Sequence, residues 1–193
     1  MDSLQKLRQV VFSLHPLPDK EWEQFAEILQ YKSFYKGDFL ISEGEQEHNV
    51  YFLLKGTTRN YFNRDGKEFT VAFHFEGEFV TAFYSLITSK PSVVTIEFLE
   101  DAHVIAIPYN KLQEFYTGSF NGATVGRKMA EMQYARRLEK EMELLSLTAE
   151  ERYARLLEKN PKIVASVSVK HISSYLGIQP ESLSRIRKQY SRN

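Results

Sequence analysis

VKHISSYLGIQPESLSRIRK, residues 169–188, is the stretch whose reading decides the fold. Counted from Val169, apolar residues stand at the fourth, eighth, tenth, fifteenth and eighteenth places (Ile172, Leu176, Ile178, Leu183, Ile186), with Gly177 at the ninth. This is the layout of a helix-turn-helix, in which two short helices cross steeply and share one small core. Ile172 and Leu176 lie one turn apart and form the inner face of the first helix. Gly177 can take the positive φ that ends that helix in a tight turn. Pro180 suits the first position of the next helix, where a missing N–H costs nothing. Leu183, Ile186 and Tyr190 then point back onto the first helix, and Ser173, where Ala is the commoner residue, is small enough for close approach.

The outer face of the second helix carries Glu181, Ser182, Arg185, Lys188 and Gln189. Such a face suits the base edges and phosphates of a DNA major groove, with Gln179 and Lys170 as further candidate contacts. Two ordinary surface helices would show the same apolar spacing. Glu181 and Arg185, four apart, could equally form a helix-surface ion pair worth about 0.2–0.5 kcal/mol.

Charge distribution bears on that choice. The 193-residue chain is neutral overall, yet residues 1–120 balance to −6 and residues 121–193 to +6. From Lys162 onward there are six basic residues and one acid, Glu181, which points to a polyanionic partner such as double-stranded DNA. The length suits one large domain or two small ones. Cysteine is absent, which excludes disulfides, a thiol switch and a cysteine-ligated cluster. His15, His48, His74, His103 and His171 lack metal-ligand spacing, so no metal is expected. No apolar run is long enough to span a bilayer and no cleavable leader opens the chain, so a cytoplasmic location is expected.

Residues 4–30 read as helical, with Leu4, Leu7, Val10, Val11 and Leu14 on one face and Asp19 as a candidate cap for a second segment through Trp22, Phe25, Ala26 and Leu29. From Tyr31 to about Ile107 the period changes. Aromatic and β-branched runs are punctuated by Gly37, Gly44, Gly56, Gly66 and Gly77, the cadence of short strands in a barrel or sandwich. Asp65-Gly66 marks the clearest hairpin, with Val71, Phe73 and Phe75 on one face. A last strand ends at Pro108, and YNKLQEFY reads as a short helix. Gly126 to about Ser146 is the longest helical stretch, with the stripe Met129, Met132, Ala135, Leu138, Met142 and Leu145. That stripe suits a parallel pair of helices or a cover for the β-domain. Thr148 and Glu151 form a capping box for AEERYARLLEKN, which Pro161 stops; residues 162–167 read as a short strand, and Ser168 as a cap for the motif.

A Gly-punctuated roll, a long striped helix and a C-terminal helix-turn-helix together resemble the Crp/Fnr superfamily of bacterial transcription regulators. The pieces that carry the resemblance are YKGDFLISEGE, VYFLLKG, FEGEFV and GIQPESLSRIRK, spread over essentially the whole chain. The resemblance implies an α+β fold with a jelly-roll-like, double-stranded β-roll related to cyclic-nucleotide-binding domains. It implies a sensor at residues 1–120, a connecting and dimerisation helix at 121–146 and a DNA-binding domain at 147–193. It further implies a homodimer in which Met129, Met132, Leu138, Met142 and Leu145 form the dimer helix face. Glu181 and Arg185 match the family's Arg-Glu-x-x-x-Arg groove-reading pattern, while Pro180 stands in place of its first Arg. The sequence ends three residues after Tyr190, so no β-hairpin wing is expected after the second helix.

The effector pocket matches less closely. Gly77 and Glu78 resemble the family's ribose-binding pair, followed by Phe79 and Val80, but the Arg that neutralises a cyclic phosphate has no counterpart: Pro91 or Ser92 occupies its place. Lys90 is the one cation in reach, and an uncompensated buried phosphate is costly. Cyclic AMP is therefore disfavoured, and no cofactor is assigned. Phe73, Phe75, Phe79, Phe83 and Tyr84 read as an apolar pocket lining or as plain roll core. The expected function is a dimeric DNA-binding regulator with an unnamed small effector, whose surface allows contact with RNA polymerase. The alternative is a ligand-binding module acting on a protein partner. No nucleophile elbow, metal spacing or phosphate loop supports an enzyme.

Overall fold

A computed structural model describes residues 3–161 and 163–190. The chain forms two compact units: the residues up to Asn60 with Phe73–Tyr134, and Tyr61–Ala72 with the residues from Ala135 on.

In the first unit, helices α1 (Ser3–Leu14) and α2 (Asp19–Glu27) precede the roll. Asp19 is the first residue of α2 rather than its cap. Pro18 holds the cap position, and the Asp19 carboxylate instead accepts from Arg8 at 2.7 Å. The strands are β1 (Gln30–Phe34), β2 (Phe39–Ile41), β3 (Asn49–Lys55), β4 (Thr58–Arg64), β5 (Lys67–His74), β6 (Phe79–Val80), β7 (Thr95–Phe98) and β8 (Ala102–Pro108). They make two four-stranded sheets, ordered β1-β8-β3-β6 and β2-β7-β4-β5. The β3–β8 pairing is antiparallel and sets Tyr51 against Ala106 and Phe52 against Ile105.

That sheet is buried on both faces, which explains why β3 and β8 read as unbroken apolar runs. Tyr51, Leu53, Val104 and Ala106 point into the roll with Ile41, Ile96 and Phe98. Their neighbours Phe52, Leu54, Ile105 and Ile107 point the other way, onto a layer made by Leu7, Val11, Trp22, Phe25, Leu112 and Val125. Gly56 closes the turn between β3 and β4 at φ +109°, and a Cβ there would lie 2.6 Å from that of Ala102, so only glycine satisfies both the backbone and the packing.

Helix α3 (Phe83–Thr88) was not foreseen from the sequence, and it changes the reading of the aromatics. Phe73 is buried, but Phe83 is 51 % and Tyr84 48 % exposed, so these two belong neither to a pocket nor to the roll core. Helix α4 (Tyr109–Gly118) leads into α5 (Phe120–Ser146), 27 residues or about 40 Å long. Helix α5 begins earlier than its apolar stripe because Gly122 and Gly126, poor helix formers, let α4 approach: Cβ atoms there would lie 2.5 Å from Phe115 and 2.7 Å from Tyr116.

The second unit contains the hairpin end, the last part of α5, and helices α6 (Ala149–Lys159), α7 (Ile163–Ser166), α8 (Val169–Leu176) and α9 (Pro180–Tyr190). The Thr148/Glu151 capping box is formed, and Ser168 Oγ accepts from the His171 N–H at 3.2 Å. Residues 163–166 are helical where a strand was expected, because a short apolar run does not distinguish the two by periodicity; Lys162 lies outside the described residues. Tyr153, Leu156, Ile163, Val167, Ile172, Leu176, Leu183 and Ile186 are all buried. At the hairpin end both Asp65 and Gly66 have positive φ, the two-residue turn that matches strand twist.

Candidate functional site

Helices α8 and α9 form the helix-turn-helix. Gly177 is left-handed at φ +68°, and its N–H and that of Ile178 return to the last carbonyls of α8. Ser173 is 2 % exposed and donates its hydroxyl to the Lys170 carbonyl at 3.0 Å, so the small polar residue is satisfied inside the crossing. Pro180 opens α9 as expected. Tyr190 is 45 % exposed, and its ring meets the Tyr153 ring of α6 edge-on at 5.6 Å.

With Leu183 and Ile186 turned inward, α9 leaves Glu181, Arg185, Lys188 and Gln189 exposed, Gln179 exposed just before it, and Ser182 half-buried. Ser184, missed by the sequence reading, also lies on this outer surface, with its hydroxyl donated to the Pro180 carbonyl at 3.0 Å. Glu181 and Arg185 form no ion pair with each other among the described residues, so both head groups are available to a ligand. Lys170 stands apart: its ammonium lies 3.5 Å from the Glu68 carboxylate on the hairpin end. The same hairpin is fixed to α8 through Ser174, whose hydroxyl donates to the Glu68 carbonyl at 3.0 Å and accepts from the Thr70 N–H at 2.9 Å.

The α5 stripe divides. Met129 and Met132 are half-buried, whereas Leu138, Met142 and Leu145 are 41, 59 and 83 % exposed.

Around the effector candidates, Gly77 and Glu78 form the turn between β5 and β6. The Glu78 carboxylate accepts from the Phe75 N–H at 3.1 Å, closing its own turn. Phe79 packs on Phe52 at 5.1 Å, and Val80 is buried in the roll core. Ser92 is 3 % exposed and its hydroxyl donates to the Val94 carbonyl at 2.7 Å. The structure adds Glu47, which nothing in the sequence marked. It is 4 % exposed, accepts from the His48 and Asn49 N–H groups at 3.0 Å each, and lies 3.5 Å from the Ala82 nitrogen at the start of α3. Burial raises its carboxyl above the usual range, against the pull of those backbone donors. On β4, Arg59 is 1 % exposed and paired with Glu97 at 2.9 Å; Thr58 Oγ1 and Asn60 Oδ1, on the strand's other face, are buried without partners among the described residues. No group of His, Asp or Glu among the described residues could hold a metal ion, and no helix there is long and apolar enough to cross a membrane.

Residues 31–119 match the cyclic nucleotide-binding domain family. Among curated proteins, none matches the sequence significantly. Solved structures match over most of the chain. FixK2 from Bradyrhizobium japonicum is 26 % identical, with a TM-score of 0.70 over 86 % of this chain and 85 % of that one. A protein of Eubacterium rectale assigned to the crp/fnr family of transcriptional regulators gives 0.69 at 17 % identity, over 91 % and 84 %. The chain has the Crp/Fnr regulator fold. The catabolite activator protein of Thermus thermophilus shares it at 19 % identity and a TM-score of 0.59, over 95 % of this chain and 87 % of that one. Within the Crp/Fnr fold the two clusters described above fall at the two ends of the sequence, the roll in residues 31–119 and the helix-turn-helix in α8 and α9.

Proposed function

We propose that this chain is a sequence-specific transcription regulator that binds double-stranded DNA as a homodimer. The observation that carries the reading is the exposed polar face of α9, with Glu181 and Arg185 unpaired among the described residues on a helix anchored by buried Leu183 and Ile186. Arg185 can give two hydrogen bonds to guanine O6 and N7, and Glu181 can accept from cytosine N4. Gln179, Ser182 and Lys188 supply further contacts, and Lys170 joins them on release from Glu68. The pair of reading helices follows from a second copy packed on Leu138, Met142 and Leu145, with Met129 and Met132 continuing the same seam. Residues 1–120 then act as sensor, 121–146 as the dimer helix and 147–193 as the DNA-binding part.

Any effector of the roll is an uncharged or weakly charged small molecule rather than cyclic AMP. The Glu47 carboxylate lies at the start of α3, Glu78 and Ser92 are spent on backbone partners, and no guanidinium stands where a cyclic phosphate needs one. The Thr58 and Asn60 oxygens, unpaired among the described residues, offer acceptors to such a ligand.

Selection of bound fragments from random DNA, with and without cell metabolites, tests the reading. It predicts an enriched two-fold site with half-sites about 34–36 Å apart. Affinity should fall with salt at a log–log slope of about −0.9 per phosphate neutralised. Failure to enrich any sequence would overturn it.

A further inference from the structure

We propose that the second unit carries a phosphoryl-anion site where the end of α5 meets α6 and α8. Lys140, Glu143, Arg152, Arg155, Lys159 and Tyr175 line a cavity of about 20 Å³ there. That volume holds little more than one water-sized atom, so an oxygen of the anion seats inside and the rest of the group lies at the mouth.

Four cations face this cavity against one carboxylate. Glu143 is already engaged by Arg155 at 2.9 Å and lies 3.9 Å from Lys159. It cannot neutralise all four. Lys140 is one of them: its ammonium donates to the Val71 carbonyl and sits 4.3 Å over the Tyr175 ring, and burial holds its amine down at about 8, opposed by Glu143, with smaller pushes the same way as burial from Arg137 and Lys159. Arg152 supplies the second sign. It donates through Nη1 to the Leu147 carbonyl at 2.5 Å and through Nη2 to the Leu176 carbonyl at 2.8 Å, while its buried Nε–H has no acceptor among the described residues. A phosphoryl dianion brings both the missing charge and the missing acceptor, and guanidinium groups match its geometry. Because Arg152 spans the loop after α5 and the end of α8, occupancy tightens the junction on which the helix-turn-helix is mounted.

The test needs no DNA and so stands or falls independently of the DNA reading. Inorganic phosphate is titrated into the full chain at constant ionic strength, balanced with chloride, while the Arg152 Nε–H resonance is followed by NMR. A saturable shift with phosphate is expected, absent with chloride. In Lys159→Gln, where the side chain replaced is 68 % exposed, phosphate affinity should drop about five- to tenfold. Glucose 6-phosphate binding more tightly than inorganic phosphate would point to an organic phosphate ester as the ligand, and weaker binding to phosphate itself. A shift equal to that with chloride, or unchanged affinity in Lys159→Gln, would overturn the proposal.

Discussion

Met142→Lys tests the homodimer most directly. Met142 is 59 % exposed in the single chain, so the substitution leaves the protomer's own packing largely untouched. In a parallel pair of α5 helices the side chain lies at the seam and its exposed part becomes buried. Full burial of such a side chain is worth about 1.5–3 kcal/mol, so 59 % of it comes to about 1–2 kcal/mol per protomer and twice that per dimer. The variant loses this and brings two ammonium groups together, adding about 1–4 kcal/mol of repulsion at a separation near 4 Å. The sum, about 3–8 kcal/mol, weakens association by at least a hundredfold. Sedimentation equilibrium reads the dissociation constant directly, and circular dichroism confirms the helix content. The repulsive part should shrink as salt is raised. If Met142→Lys remains as dimeric as the parent at all salt concentrations, the exposed stripe is not the seam.

Four further outcomes are expected. Arg185→Ala should lose about 1–3 kcal/mol of discrimination at one base pair of the selected site while its non-specific binding changes little, as read by competition gel shifts. Ser168→Ala removes the cap that receives the His171 N–H and should cost about 1 kcal/mol in urea unfolding. Ile105→Ala opens a cavity at a fully buried position of β8 and should cost about 2–5 kcal/mol in the same assay. For Lys140, the folded amine titrates at about 8, below the unfolded value of 10.5; between those limits the unfolded chain holds more protons, so stability rises with pH, and Lys140→Met should flatten that rise in pH-dependent melts.

Sequence periodicity was most informative where one side of an element is uniformly buried. The helix-turn-helix could be laid out residue by residue because Ile172, Leu176, Leu183 and Ile186 share one small core, and Gly177 and Pro180 have conformations set by local chemistry. Periodicity failed where an element is too short to display it, as in α3 and α7, and where packing overrode propensity, as at Gly122 and Gly126. Tyr190 was placed on α8 by its spacing, but only the position of α6 could show that its ring meets Tyr153.

By itself the sequence determined the order of elements, the Crp/Fnr-like plan and the identity of the polar groups on α9, because these depend on spacing along the chain and on local backbone preference. Tertiary structure alone decided which charges meet. Glu47 reaches the start of α3, Lys140 comes to rest over Tyr175, and Arg152 reaches the Leu176 carbonyl, each through contacts between residues 24 or more positions apart. Burial and pairing of charge depend on distance in space, and no period along the chain records it.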